Sequence, residues 1–349
     1  MICKLSQKLK AITFLLTASM LALSGCASTQ SSKEGGTGKS PKASKVQTVK
    51  FGVTPSFLFL PVYVAQDNGF FEKEGIKAEF IEFQGGAEVT SAMLGGSIDF
   101  GATLSERPAV LAEKGMAAKN VMSLQNKLAF TLVARSGLDL KPGDVKALKG
   151  KKIGVTRLGG GLDQALRALL RDAGLDPEKD VSIVATGGVA NGVAAMESKA
   201  VDASMGAEPA TSMGALKGIS ESIVDFRNGE GPKSVQTMSF PTLQANDKYI
   251  QNNEELTRKV VRAIAKAQKA MRENPQIGVD SAKKLFKDLD DELLKSIMEK
   301  EKGMFHAAIT EDMSESIIQA MKTSGEVTKN LSHKDITAVE FEKEWKESE

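Results

Sequence analysis

Three consecutive glycines, Gly159-Gly160-Gly161, stand directly before a stretch of helical periodicity, with Arg157 two positions ahead of them. Glycines let a backbone approach a ligand closely, and the free N–H groups at a helix start favour an anionic group. The helix dipole adds about 0.3–1 kcal/mol, too little to hold a ligand without further polar partners. Arg157 and Arg107 are candidates for that role, since a guanidinium grips a carboxylate or sulfonate with two N–H groups. Glu208, just before Pro209, offers the opposite chemistry, a carboxylate that accepts from an amine or ring N–H, and Glu106 is a further acid of this kind. Ser56 and Ser105 can hydrogen-bond a ligand, Phe57 and Phe59 can stack on a flat ring, and Gly85-Gly86 offers a second close approach. Each has a plainer use: glycines make tight turns, arginines are solvated, serines cap helices and phenylalanines fill cores. No Gly-Lys-Ser/Thr follows the glycines, so this is not a Walker loop.

Catalytic clusters are missing from the same region. The only histidines, His306 and His333, lie near the C-terminus, and the only cysteines are Cys3 and Cys26. Metal centres and Ser–His or Cys–His nucleophiles are therefore not expected, and neither is a cofactor. The residues read as a binding site rather than an enzyme.

The elements that position these residues are written twice. Phe51-Gly52-Val53-Thr54 recurs as Ile153-Gly154-Val155-Thr156, Gln84-Gly85-Gly86 as Thr186-Gly187-Gly188, and Ala92-Met93 with Asp99 as Ala195-Met196 with Asp202, at offsets of 102, 102 and 103. A spacing this long indicates a duplicated half-domain rather than a solenoid. In the first half the pattern predicts strands over 49–53, 76–83 and 98–102 with helices over 61–68 and 87–94. In the second it predicts strands over 152–156, 181–185 and 201–205 with helices from Leu162 to Gly174 and over 187–196. Alternating strands and helices imply an α/β fold, each half a parallel-rich sheet flanked by helices. In such sheets ligands bind beyond the carboxyl ends of the strands, which is where the residues above fall.

The stretches 130–134 and 235–243 read as crossings between the halves. Beyond them Leu256, Val260, Ile264, Ala267 and Met271 form one apolar stripe, and amphipathic segments follow near 279–287, 291–300 and 311–323. This tail is expected to pack on the first half. The boundaries read as lobe 1 over 47–134 plus 238–349 and lobe 2 over 135–237.

The first 25 residues combine Lys4, Lys8 and Lys10 with an apolar run, Ala11–Leu23, too short for an ordinary membrane span. Residues 26–46 are Ser/Gly/Lys-rich and read as a flexible tether. Loss of residues 1–25 removes three lysines and no acid, taking the formal charge from +2 to −1. That gives no electrostatic case for nucleic acid.

Leu23-Ser24-Gly25-Cys26 resembles the lipobox of bacterial lipoproteins. The resemblance implies cleavage before Cys26 and lipidation of its thiol, hence a domain held by lipid on the extracytoplasmic face of a bacterial membrane, in the periplasm or at the cell surface. Further on, Leu60-Pro61-Val62-Tyr63-Val64-Ala65, Asn68-Gly69-Phe70-Phe71-Glu72-Lys73-Glu74-Gly75-Ile76 and Gly95-Gly96-Ser97-Ile98-Asp99-Phe100-Gly101 resemble the substrate-binding proteins of bacterial ABC importers. The similarity is to the sulfonate/nitrate/taurine branch, which includes binders of thiamine pyrimidine precursors, and covers roughly residues 47–275. It implies a two-lobed type II periplasmic-binding-protein-like fold with a two-stranded hinge. A monomer would take a small organic acid or a sulfonate-like or zwitterionic solute between its lobes and deliver it to a permease and ATPase. A pyrimidine or other nitrogen heterocycle as ligand, or a sensor uncoupled from transport, fits the same resemblance. The yeast relatives that make thiamine pyrimidine use a cysteine-rich motif with no counterpart here.

Overall fold

The computed structural model describes residues 46–349; the expected leader, Cys26 and the tether as far as residue 45 lie outside the described residues. The first half runs β1 (Gln47–Val53), α1 (Leu60–Asp67), α2 (Phe70–Lys73), β2 (Ile76–Glu82), α3 (Gly86–Leu94), β3 (Phe100–Leu104), α4 (Arg107–Glu113) and β4 (Ala118–Ser123). The second runs β5 (Thr131–Arg135), β6 (Lys152–Val155), α5 (Gly161–Asp172), β7 (Ser182–Ala185), α6 (Val189–Glu197), β8 (Ala203–Gly206), α7 (Ala210–Leu216) and β9 (Ser220–Asp225). The chain then returns through β10 (Pro241–Asn246) to α8 (Asp247–Asn252), α9 (Glu254–Glu273), α10 (Pro275–Leu285), α11 (Asp291–Glu301), α12 (Glu311–Thr323), α13 (His333–Ile336) and α14 (Glu342–Trp345).

Two five-stranded sheets result, ordered β2-β1-β3-β10-β4 and β7-β6-β8-β5-β9. The duplicated segments occupy equivalent places. Phe51 pairs with Phe80 and Phe100 in parallel, and Ile153, its repeat mate, with Ile183 and Ala203. The repeated aspartates explain themselves: Asp99 accepts from the Lys50 backbone N–H at 2.8 Å and Asp202 from that of Lys152 at 3.0 Å. Each carboxylate anchors the start of its half's central strand.

The fourth strand of each sheet is antiparallel and arrives by a crossing, β5 entering the second sheet and β10 the first. This corrects one expected boundary. The break after Ala134 falls inside β5, whose ladder partners are β8 and β9, so the first sheet's leading segment ends with β4 at Ser123. The crossings hold each other: Leu124 N–H donates to Pro241 O at 2.9 Å, and Leu128 N–H to Gln236 O at 2.7 Å.

Phe51 shows why the first half is well packed. It is fully buried, with the rings of Phe71, Phe80 and Phe100 centred 5.1, 5.7 and 5.6 Å from its own. Burying one such side chain contributes about 1.5–3 kcal/mol. On the outside of this sheet α9 lies against α1 and α2, with its whole expected apolar stripe buried. Arg262 donates to both carboxylate oxygens of Glu74 at 2.9–3.0 Å, fastening α9 to the turn after α2. Pro275 follows the end of α9 at Glu273. It occupies the first turn of α10, where its missing N–H costs nothing, and Asn274 caps that helix. The tail also reaches further than expected, because α12 packs against α4 of the first lobe and α5 of the second. Among the described residues no helix is long and apolar enough to cross a membrane.

Candidate functional site

β6 ends just before Arg157 and the glycine loop, and β3 ends just before Arg107 at the start of α4. Gly159 has φ +76°, a conformation that only glycine adopts without strain, and its N–H donates to Asp163 at 2.7 Å. Gly160 is the extended N-cap of α5, and Gly161 its first residue. The position expected to receive an anion has its N–H groups engaged, that of Gly160 reaching Arg157 O at 3.4 Å. Its occupant is the chain itself: Gly161 N–H donates to Oε1 of Glu106 at 3.3 Å, across from the first lobe. The other oxygen of Glu106 accepts from Ser239 at 2.9 Å, and a Cβ on Gly161 would lie 2.5 Å from the Ser239 Cβ. The lobes touch here through glycine because no side chain fits.

Arg157 is shared. Its Nη1 donates to Oε1 of Glu326 at 2.6 Å, while Nη2 is buried with no hydrogen-bond partner among the described residues. A Cβ on Gly160 would lie 3.5 Å from that Nη2, in ordinary van der Waals contact with it. Arg107, the first residue of α4, stands near Gly86, whose Cβ would come within 4.0 Å of the Arg107 Nη2. It has neither an ion pair nor a side-chain hydrogen bond among the described residues. Burial pulls its guanidinium below the ordinary arginine value; Arg157 pulls the same way, while Glu106 and Glu326 oppose. Two guanidiniums from opposite lobes thus feel each other's charge, and that of Arg157 keeps an Nη2 unpaired among the described residues. Gly85 lies alongside as the N-cap of α3, with open space where its side chain would be.

The remaining candidates go elsewhere. Ser56 accepts from Leu58 N–H at 3.3 Å and caps the short helical turn Phe57–Phe59. Phe57 is fully buried and stacked on Phe286 at 5.5 Å and 7°, so its face is taken by the tail. Ser105 is fully buried, its hydroxyl accepting from Phe240 N–H at 3.2 Å and its N–H donating to Phe240 O at 2.9 Å. Glu208 is also spoken for. It accepts from the Ser212 N–H and hydroxyl at 3.1 and 2.9 Å and from Arg227 at 2.5 Å.

Arg227 sits at the centre of a buried charge cluster by the hinge. Asp225 takes two of its N–H groups at 2.8 Å, and Glu301 of α11 lies 3.5 Å away, itself bonded by Gln125 at 2.8 Å. Burial pushes the Glu301 carboxyl up to about 7; Glu208 adds to the rise, and Arg227 and Gln125 limit it. The guanidinium stays protonated because its three carboxylate neighbours outweigh burial. Among the described residues no group of acidic, histidine or cysteine side chains is arranged to hold a metal.

Sequence reasoning missed Glu326, Arg227 and Glu301. Two lie in the unduplicated tail, and Arg227 follows the last strand of the second half, where no repeat mate marks it.

A family model described as NMT1/THI5 like matches residues 56–277. The protein named "Putative binding protein YtlA" from Bacillus subtilis is 26% identical over 298 residues, covering 83% of this chain and 86% of that protein. Fungal 4-amino-5-hydroxymethyl-2-methylpyrimidine phosphate synthases match shorter stretches at 24–32% identity. Among solved structures, the ligand-binding component of an ABC-type import system from Staphylococcus aureus has a TM-score of 0.73 at 16% identity, covering 86% of this chain and 99% of that one. The alkanesulfonate-binding protein SsuA from Xanthomonas axonopodis pv. citri, bound to MOPS, has a TM-score of 0.70 at 17% identity, covering 84% and 99%. The fold is that of the type II periplasmic binding proteins.

Proposed function

This chain belongs to the NMT1/THI5-like family, and on that premise we propose that it is the solute-binding lipoprotein of an ABC importer, with a small organic or sulfonate-like anion as its ligand. One observation carries the ligand class: beside glycines of opposite lobes, Arg157 keeps a buried Nη2 without a hydrogen-bond partner and Arg107 has no ion pair among the described residues. A ligand touching both lobes favours the closed state, because only there are both contacts made. Micromolar affinity requires about 8 kcal/mol. Two charge-assisted contacts at about 1.5–3 kcal/mol each supply a large part of it, and the apolar parts of the ligand the remainder.

The zwitterionic variant of this reading takes its acceptor from Glu106 or Glu326 rather than Glu208, whose oxygens are engaged by Ser212 and Arg227. The fungal relatives support a second ligand class, a pyrimidine or related heterocycle. Against it, the ring expected to stack on such a ligand, Phe57, is stacked on Phe286. A synthase activity is less well supported, since the mature chain carries no thiol beyond Cys26. In this proposal Cys26 carries the lipid, the monomeric domain works outside the cytoplasm, and a permease with its ATPase receives the ligand from the closed form.

The test is a thermal-shift and calorimetric screen of the mature domain against sulfonates, carboxylates, taurine-like zwitterions and pyrimidines. Arg107→Ala and Arg157→Ala should each lower affinity for the ligand found by tenfold or more. A ligand bound equally well by both variants would refute the reading.

A further inference from the structure

The tail does more than cover the first lobe. After α12 the chain turns through Ser324 and Gly325, places Glu326 against the second lobe, then returns to the first. The return is fastened at Glu113, the last residue of α4. Oε2 of Glu113 accepts from the N–H groups of Thr328 and Lys329 at 3.0 Å, and Oε1 accepts from the Thr328 hydroxyl at 2.8 Å. Lys329 adds two bonds from Nζ to the carbonyls of Ala112 and Glu113 at 3.0 and 2.8 Å. At the tip, Oε1 of Glu326 holds Arg157 at 2.6 Å. The carboxylate seats itself where Gly159 has no side chain, since a Cβ there would lie 2.5 Å from Oε1. The strap is thus riveted to one lobe and ion-paired to the other.

We propose that Glu326 is an internal counter-anion of the cleft: without ligand it latches the second lobe through Arg157, and a ligand's acid group engages Arg157 fully only by displacing it. The second half of this statement rests on the function proposed above; the latch itself does not. Several observations converge on it. The carboxylate occupies a guanidinium that the cleft needs, at the loop whose backbone suits an anion. It comes from outside the duplicated halves, so the pairing is not part of either lobe's own construction. The Arg157 side chain is 36% exposed and that of Glu326 23%, so the pair is open to exchange with a solute. Glu106, which also reaches the loop from the first lobe, is 4% exposed and tied to Ser239, and it stays in place. The latch therefore has one fixed carboxylate and one replaceable one.

The experiment is Glu326→Gln in the mature domain, with two readouts. Hydrogen–deuterium exchange without ligand should rise at least threefold over residues 157–161 and 324–329. Affinity for whichever anion the wild type binds, with MOPS as first probe, should rise threefold or more because the competitor is gone. Glu113→Gln loosens the strap's anchorage at Thr328 and Lys329 without touching the Arg157 pair and should reproduce the exchange increase over 324–329. Unchanged exchange in Glu326→Gln overturns the latch, and a Glu326→Gln protein that binds the anion no more tightly overturns the displacement step. A wild type that binds no anion refutes the proposed ligand class and the displacement step, while ligand-free exchange still decides the latch.

Discussion

Replacing Glu301 by glutamine tests how the hinge cluster is balanced. One guanidinium, Arg227, faces three carboxylates, those of Asp225, Glu208 and Glu301, and Glu301 is fully buried. Its pKa is about 7 in the folded protein against an ordinary 4.5. Between those values the folded state holds a proton that the unfolded state has released, so stability falls as pH rises through the window and levels off above it. A difference of about 2.5 units corresponds to about 3 kcal/mol at 1.36 kcal/mol per unit. Glutamine removes the titration, keeps an oxygen for the Gln125 donor, and leaves Arg227 with two carboxylates. Urea unfolding of wild type and Glu301→Gln at half-unit steps from pH 4.5 to 8 should show the stability difference shifting toward the variant by about 2–3 kcal/mol. A difference constant to within about 0.5 kcal/mol would show that Glu301 is ionised throughout and that the charge argument is wrong.

Three further outcomes follow from the packing. Phe51→Ala, at the centre of three rings, should cost about 3–5 kcal/mol in chemical unfolding; a loss under about 1 kcal/mol would mean the site collapses around the vacancy. Gly161→Ala places a Cβ 2.5 Å from the Ser239 Cβ and 3.0 Å from Oε2 of Glu106, so it should wedge the lobes apart, visible as a larger radius of gyration in solution scattering. An unchanged radius with unchanged ligand affinity would contradict that contact. Gln268→Ala leaves the carbonyls of Ser123 and Leu124, each bonded at 3.0 Å, without their donor where the chain leaves the first sheet, and should destabilise by about 1–3 kcal/mol in thermal or urea melts.

The duplication was the most legible feature of the sequence because it writes one physical solution twice. Both sheets have the same strand order, the repeat mates Gly52 and Gly154 both approach their neighbours closely, and Asp99 and Asp202 anchor equivalent strands. The glycine loop and the two arginines were legible for a chemical reason: residue type alone limits what such backbone and such charges can do. The partners were not legible. Phe57 reads as a ring free to stack until Phe286 arrives from 229 positions later, and Glu208 reads as a ligand acceptor until Arg227 claims it. A local pattern marks which groups need a neighbour; it does not say which distant residue becomes that neighbour. The boundary at Ala134 failed for a related reason, since β5 is a good strand in isolation and only its pairing reveals which sheet it joins.

β10 lies between β3 and β4, which do not pair with one another. The half that emerges first from the ribosome therefore has a gap in its middle that residues 241–246 alone can fill. Until two-thirds of the polypeptide has been made, this half has no complete sheet, and β3 and β4 each lack a ladder on the side β10 will take. The second sheet is built from one uninterrupted stretch, β5 to β9, but the first cannot be cut out that way and keep all five strands. The order of the chain thus defers closure of the first core until the second sheet's five strands have all been made.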